Sequence, residues 1–409
     1  MSSSSSTRRR RRHRRHARSP ASGPLDDDDL MSEILLRLPP QPSSLPRASA
    51  VCKRWHRLVS DPGFSRRFRL RHRRNPPLLG FFDRYVGRSF LPTLDAPNCI
   101  PPERFSFQWD DYYDSSLSLG CRHGLYLLFL SKRHQVVVWD PITGDRHHIA
   151  FPAAFNEKET VGLVNGAVLR PAGEVKQFQV VLAAADGEQQ AIACVYSSRT
   201  GLWGALISTP LPYEAGGRMP NGIRIQTMVK TGNAVMAGDS LYWQLFGYLY
   251  GILEFDLVKQ SLAVIRVPVD MHGEGKCLKM MRAESGGLGC LVLSYYTAQL
   301  WERKTDCDGG ASWGLARTIE LDKALCLKPE EKGSLFILGI AEENNVVFLW
   351  TRIGFFMIHL ESLKFKNLLK TNHISSSYHP FESVYTTETR AGGGHDRAEL
   401  MGPELLLDA

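Results

Sequence analysis

Apolar residues along this chain follow two different periods. Between residues 25 and 74 they recur at helical spacing: Leu30, Ile34, Leu35 and Leu38 fall at i, i+4, i+5 and i+8, one stripe along a helix. Asp26 to Asp29 supply a cap and first-turn carboxylates for the positive end of that helix, and Pro39-Pro40 stops it. A second helix starts at Ser44 with Pro46 tolerated in its first turn, and the run Ala48 to Val59 contains no breaker. Asp61-Pro62-Gly63 reads as a turn, after which Phe64, Phe68 and Leu70 lead out through a basic stretch. Three short helices bury little by themselves. The apolar residues here exceed what one such core can hide, so the pattern predicts a partner.

From residue 76 the period shortens. Apolar runs such as GLYLLFL (124–130), VVVW (136–139), FQVVLAA (178–184), SLYWQLF (240–246), GCLVLSYY (289–296) and NVVFLW (345–350) are separated by Gly, Asp, Asn, Pro or Ser, the texture of β-strands and turns. A weak repeat runs through them: strand, turn, and a strand closing on a polar turn. With Trp139, Tyr196, Phe255, Trp301 and Ile358 as equivalent positions, the steps are 57, 59, 46 and 57 residues. That period predicts a β-propeller of about six blades over residues 76–386. Val136, Val137 and Val138 are apolar in succession, as in a strand stacked between neighbouring blades. Gly144 and Gly201 stand where tight turns require positive φ. The strand pattern shows no charged interior. The fold class is therefore α+β and multidomain, a small three-helix unit followed by an all-β domain.

Charge adds to this picture once it is divided along the chain. The formal net charge is +8, yet the first 74 residues hold 19 of the 50 Lys/Arg and only 6 of the 42 Asp/Glu. The β domain is slightly acidic, which argues against a nucleic-acid-binding body. Eight arginines lie between Arg8 and Arg18 in a Ser-, Arg- and Pro-rich stretch with little to bury. Residues 1–24 and 387–409 are expected to be disordered tails. The arginine run reads either as a solvated tail or as a nuclear import signal. No stretch is long and apolar enough for a membrane span, and the N-terminus lacks the apolar segment of a secretory signal. Eight scattered cysteines without a C-x-x-C pair predict free thiols and a cytoplasmic or nuclear location.

Residues 25–75 carry a specific resemblance. Glu33-Ile34-Leu35-Leu36-Arg37-Leu38-Pro39, Val51-Cys52-Lys53-Arg54-Trp55 and Leu58-Val59-Ser60-Asp61-Pro62-Gly63-Phe64 occur in order and resemble the F-box. One departure is Asp26-Asp27 where the family has Leu-Pro. The resemblance implies docking onto the Skp adaptor, and through it a cullin, in a ubiquitin ligase. Leu30, Ile34, Leu35, Leu38, Pro39, Val51, Cys52, Trp55 and Leu58 are the expected core and docking residues. Trp55 is the expected hot spot, because buried aromatics dominate interface energetics. The β domain is similar, more loosely, to the propeller-like domain that follows the F-box in many plant proteins, which implies that it holds a protein substrate.

Catalytic motifs do not compete with this reading. The sequence has no G-x-x-x-x-G-K-[ST], H-E-x-x-H or G-x-S-x-G, and GGLGC (286–290) lacks a strand–helix context. His147-His148 and Cys121 with His123 would need further ligands to hold a metal. No cofactor is expected, and no catalytic residue. The aromatic–acidic stretch with Trp109, Tyr112 and Tyr113 is a candidate substrate contact, or an edge strand of the first blade. The expected function is a non-catalytic bridge between adaptor and protein target. Alternatives are a ligand-binding or enzymatic propeller, which needs polar residues converging in its channel, and a scaffold that binds nucleic acid through the basic tail.

Overall fold

A computed structural model describes residues 27–83, 90–105, 107, 116–156, 164–171, 174, 176–186, 190–212, 227–247, 250–305, 310–369 and 378–386. The helical unit comprises α1 (Asp28–Leu35), α2 (Ser44–Ser49), α3 (Lys53–Val59) and α4 (Pro62–His72), one helix more than expected. The run Ala48 to Val59 is broken at Cys52, which is fully extended at φ −162° and ψ 166°. Val51 and Cys52 are weak helix formers, and the break lets Trp55, Leu58 and Val59 turn back onto the core. Asp61-Pro62-Gly63 opens a helix instead of only making a turn. The Asp61 carboxylate accepts the Phe64 N–H at 2.8 Å, and Pro62 occupies the first turn, where a missing amide costs nothing.

The β domain is a ring of six antiparallel sheets. Blade II (Ser116–Arg122, Leu125–Leu130, Gln135–Trp139, Arg146–Ala150) sets the pattern: each strand pairs with the next, from the channel outward. Blades III to VI repeat it with inner strands beginning at Asn165, Met228, Lys276 and Phe336. Blade I is made from both ends of the chain. The inner strand Tyr378–Glu382 pairs antiparallel with Leu78–Asp83, which in turn pairs with Phe90–Pro92.

Trp139, Tyr196, Phe255, Trp301 and Ile358 all lie on the third strands of blades II to VI, so the sequence repeat is the structural one. It lacks a sixth copy because blade I is assembled from separate ends. Gly144 and Gly201 have φ of 82° and 73°, as their turns require.

Period-two side-chain alternation then builds the core. Val136 and Val138 face blade III, whereas Val137 and Trp139 face blade I. Six apolar clusters result, each drawn from two neighbouring blades. Two of them flank the closing strand. Phe81 meets Tyr378 and Phe348 at 4.8 and 5.1 Å, and Phe82 meets Phe381 at 5.4 Å. Gly339 permits the close approach of blades VI and I, since a Cβ there would lie 2.9 Å from the Tyr378 carbonyl oxygen. Among the described residues no helix is long and apolar enough to cross a membrane.

Phe381 is 1% exposed and packs on Phe82, Phe90 and Phe105. Phe381→Ala is expected to destabilise the whole ring by about 3–5 kcal/mol. Chemical denaturation followed by tryptophan fluorescence would measure this, with one transition shifted and no new one created.

Candidate functional site

The helical unit sorts the nine expected residues into two sets. Helix α1 begins where the Asp27 carboxylate accepts the N–H groups of Asp29 and Leu30 at 2.8 and 3.3 Å. Its register sends Met31 and Leu35 inward to meet Leu36, Leu45, Ala48, Phe64 and Phe68. Leu35 is 1% exposed. Leu38, Trp55 and Leu58 are half-buried against that core. Leu30 and Ile34 lie one position back on α1, about 100° around the helix, and point out at 42% and 40% exposure. Val51 is 62% exposed, and Pro39 and Cys52 are exposed with it. The expected stripe is thus two stripes, one completing the core and one left for something else. Arg54 Nε to Asp28 at 2.6 Å ties α3 to α1, and Arg67 donates to buried Ser32 Oγ at 2.8 Å, tying α4 to α1. Trp109, Tyr112 and Tyr113 lie outside the described residues.

The helical core also contains Val384, which follows directly on the ring-closing strand. Further contacts join the two parts. Arg73, just after α4, donates to the carbonyls of Arg170 and Pro171. Asn344 Nδ2 donates to the Pro76 carbonyl at 3.0 Å, and Ser43 N–H donates to Asn98 Oδ1 at 3.1 Å. Arg170, Asn344 and Val384 all follow inner strands, so the helices sit on the face toward which those strands run. This is the junction face; the opposite one is the far face.

At the junction the expectation of an uncharged interior is wrong. Arg122 Nη2 reaches both oxygens of Glu342 at 2.9 and 3.0 Å, with both side chains largely buried. Arg282 pairs with Glu343 at 2.7 Å and Arg170 with Asp140 at 2.6 Å. Asn344 donates both its N–H and its Nδ2 to Glu382 Oε1, at 2.9 and 2.8 Å. These charges sit at strand ends beside turns, where a strand-by-strand hydropathy reading takes them for loop residues. Burial pushes Glu382 up to about 7, and the neighbouring Glu342 and Glu343 carboxylates add to the rise, against the opposing Asn344 hydrogen bonds. Burial, with Arg122, Arg73, Arg170 and Arg282 nearby, pushes His123 down to about 3. Its ring is therefore neutral, with Nδ1 accepting the Arg170 N–H at 3.1 Å.

The other chemistry-bearing residues have packing roles. His147 lies against the Phe178 ring at 5.0 Å, and burial pushes the Cys121 thiol well up. Among the described residues no group of three His, Cys, Asp or Glu is placed to hold a metal.

The rise at Glu382 fixes a pH dependence. Its pKa is higher folded than unfolded, so the folded state favours the protonated form and the ionised form costs stability above pH 7. That cost is relieved as pH falls from about 7 toward 4.5, the ordinary value of a glutamate carboxyl. Glu382→Gln keeps an acceptor for Asn344 and removes the charge. It is expected to stabilise the protein at pH 8 by at most about 3 kcal/mol, with the gain shrinking toward pH 5. Thermal unfolding of both proteins across this range checks the sign.

Comparisons with known proteins agree with this architecture. The F-box-like family matches residues 28–71, and the family described as F-box protein AT5G49610-like, beta-propeller matches residues 119–386. Among curated proteins, the putative F-box protein At3g16210 of Arabidopsis thaliana is 24% identical over 187 residues, 45% of this chain and 48% of that protein. The putative F-box protein At3g21120 of the same plant is 27% identical over 149 residues, 33% of this chain and 39% of that one. The chain thus spans about half or less of the length of these curated relatives. A solved structure of the SapL1 lectin in complex with alpha methyl fucoside covers 74% of this chain and 99% of its own at 10% identity, with a TM-score of 0.38, too low to bear on function. A helical unit that keeps a spare apolar face, joined to a closed six-bladed ring and matched over most of the β domain, places this chain in the family of F-box proteins with an AT5G49610-like β-propeller.

Proposed function

We propose that this chain is the substrate-recognition subunit of a Skp–cullin–F-box ubiquitin ligase, non-catalytic itself, acting in the cytoplasm or nucleus. The observation that carries the reading is the second stripe of the F-box. Leu30, Ile34 and Val51, with Pro39 and Cys52, remain exposed although the F-box core is complete without them. An apolar face of this kind on so small a unit supports a partner there, and the family supports a Skp-type adaptor.

The propeller would hold the protein target. Bridging raises the effective concentration of target lysines near the ubiquitin-loaded enzyme, provided the span between the two parts is fixed. The Arg73 hydrogen bonds and the insertion of Val384 support a fixed span better than the Pro76-Pro77 linker would alone. Charged groups do converge at the channel mouth, as a ligand-binding propeller would need, but the named carboxylates are engaged by arginine or asparagine. That arrangement favours a structural junction over a catalytic centre.

Leu35 is a poor probe of docking, because an aspartate at this buried position would break the F-box core. Ile34→Asp combined with Val51→Asp is expected to weaken capture of a co-expressed Skp-family adaptor by about thirtyfold or more, the scale of an interface hot spot, with the melting temperature unchanged. Trp55→Ala is expected to weaken capture and lower stability together, since Trp55 also packs on the core. Quantitative co-purification with parallel thermal unfolding measures both. Undiminished capture by the Ile34, Val51 double variant would contradict the docking assignment.

A further inference from the structure

The inner strands line a second cavity of about 80 Å³ in the channel, which adjoins the junction through Asn233, Ile340 and Glu342. Lys230, Lys279, Trp243, Gln244 and Tyr378 are among its lining residues. Lys230 follows the first segment of the blade IV inner strand, and Tyr378 begins the closing strand. Both therefore lie toward the far face, away from the F-box.

The chemistry of this cavity is lopsided. The Lys230 ammonium donates to Gln244 Oε1 at 3.2 Å, and no carboxylate pairs with it among the described residues. Burial lowers its pKa, the sign of a desolvated cation without compensation. Trp243 is fully buried, and its Nε1–H has no acceptor among the described residues. Glu342 is the one carboxylate lining the cavity, and it is taken up by Arg122 on the junction side. Among the described residues Lys230 thus lacks a carboxylate and the Trp243 N–H lacks an acceptor, which is costly unless an acceptor enters.

The rim adds a second feature. Phe246, Tyr250, Val269, Tyr295, Phe336 and Ile353 are exposed, Tyr295 by 82%. Each stands at a strand end or turn on the far face of blades IV, V and VI. Single exposed apolar residues are ordinary, but six on one face of three consecutive blades form a surface that suits a partner. Tyr250 stacks on His272 at 4.9 Å, and Phe336 lies 5.6 Å from Trp350, so parts of this rim are already ordered.

We propose that the far-face channel mouth binds an acidic peptide segment of the target, with one carboxylate entering beside Lys230 and apolar neighbours resting on the rim of blades IV to VI. The proposal rests on the recognition role above and adds the chemistry of what is recognised. A cavity of about 80 Å³ is far below the several hundred Å³ of a small-molecule site, yet it accommodates a side-chain carboxylate with a few waters. A carboxylate is favoured over a phosphate because Glu342 in the same cavity opposes a second negative charge.

The test uses the full-length chain, alone and with its Skp-family adaptor. Its probes are labelled pools of capped octapeptides with Asp, Glu, Asn, Gln or phosphoserine fixed at the centre and random flanks. The Asp and Glu pools are expected to bind about tenfold better than the Asn and Gln pools. Lys230→Met should abolish that preference, Lys230→Arg should retain most of it, and Tyr295→Ser should weaken all pools while leaving the preference. Melting temperatures of the Lys230 variants exclude misfolding, with the arginine variant as the folded reference. No acid preference, a preference that survives Lys230→Met, or stronger binding of the phosphoserine pool would overturn the proposal. Adaptor capture is expected to be unaffected by Lys230→Met. An acid preference in a chain that captures no adaptor would fault the ligase reading and leave this site standing.

Discussion

The pairing of Tyr378–Glu382 with Leu78–Asp83 is the constraint on which the rest depends. Five blades are local in sequence, but blades II and VI each keep one face uncovered until the ring is closed. Closure supplies the two inter-blade cores around Phe81 and Phe82 in one step. It joins segments some 300 residues apart, so its loop-closure entropy is large, and aromatic packing on both sides of the strand offsets it. The chain then continues into the F-box, where Val384 completes the helical core. Folding of the recognition ring and of the docking unit are thereby linked through nine residues, 378 to 386.

The buried charges at the junction have a different role. Taking Arg122 and Glu342 out of water costs several kcal/mol per ion, and their attraction roughly restores it. Such pairs add little net stability but penalise any arrangement that separates them. Arg122 on blade II and Glu342 on blade VI span the channel mouth across blade I, so the pair holds the ring at the point where closure occurs. Arg73 then fixes the last turn of the F-box against blade III through two carbonyls. The result suits a bridging subunit: one apolar stripe stays exposed on the helical unit, and the far face of the ring lies away from that unit.

Much of this was legible in the sequence. Helix α1 announced itself through Asp27 and its apolar spacing, and the repeated third strands were visible as Trp139, Tyr196, Phe255, Trp301 and Ile358. Two kinds of information were not. Which of Leu30, Ile34 and Leu35 faces inward depends on how α3 and α4 pack, and a stripe wider than one core does not disclose its own division. The channel residues Arg122, Lys230, Glu342 and Glu382 each sit beside a turn in unremarkable local sequence. Only the circular arrangement of the blades brings them together, and no local pattern encodes a ring. The helix break at Cys52 was missed for a related reason, because tertiary packing of Trp55 overrides an apparently unbroken run.

If the closing strand fastens the F-box to the propeller, the two unfold as one unit. Native-state hydrogen exchange in increasing denaturant tests it most directly, comparing amides of Phe64–Phe68 in α4 with those of His379–Glu382. Both sets are expected to converge on the same opening free energy, equal to that of global unfolding. Exchange of α4 at a much lower free energy, with the closing strand still protected, would show two independent parts and contradict the claim.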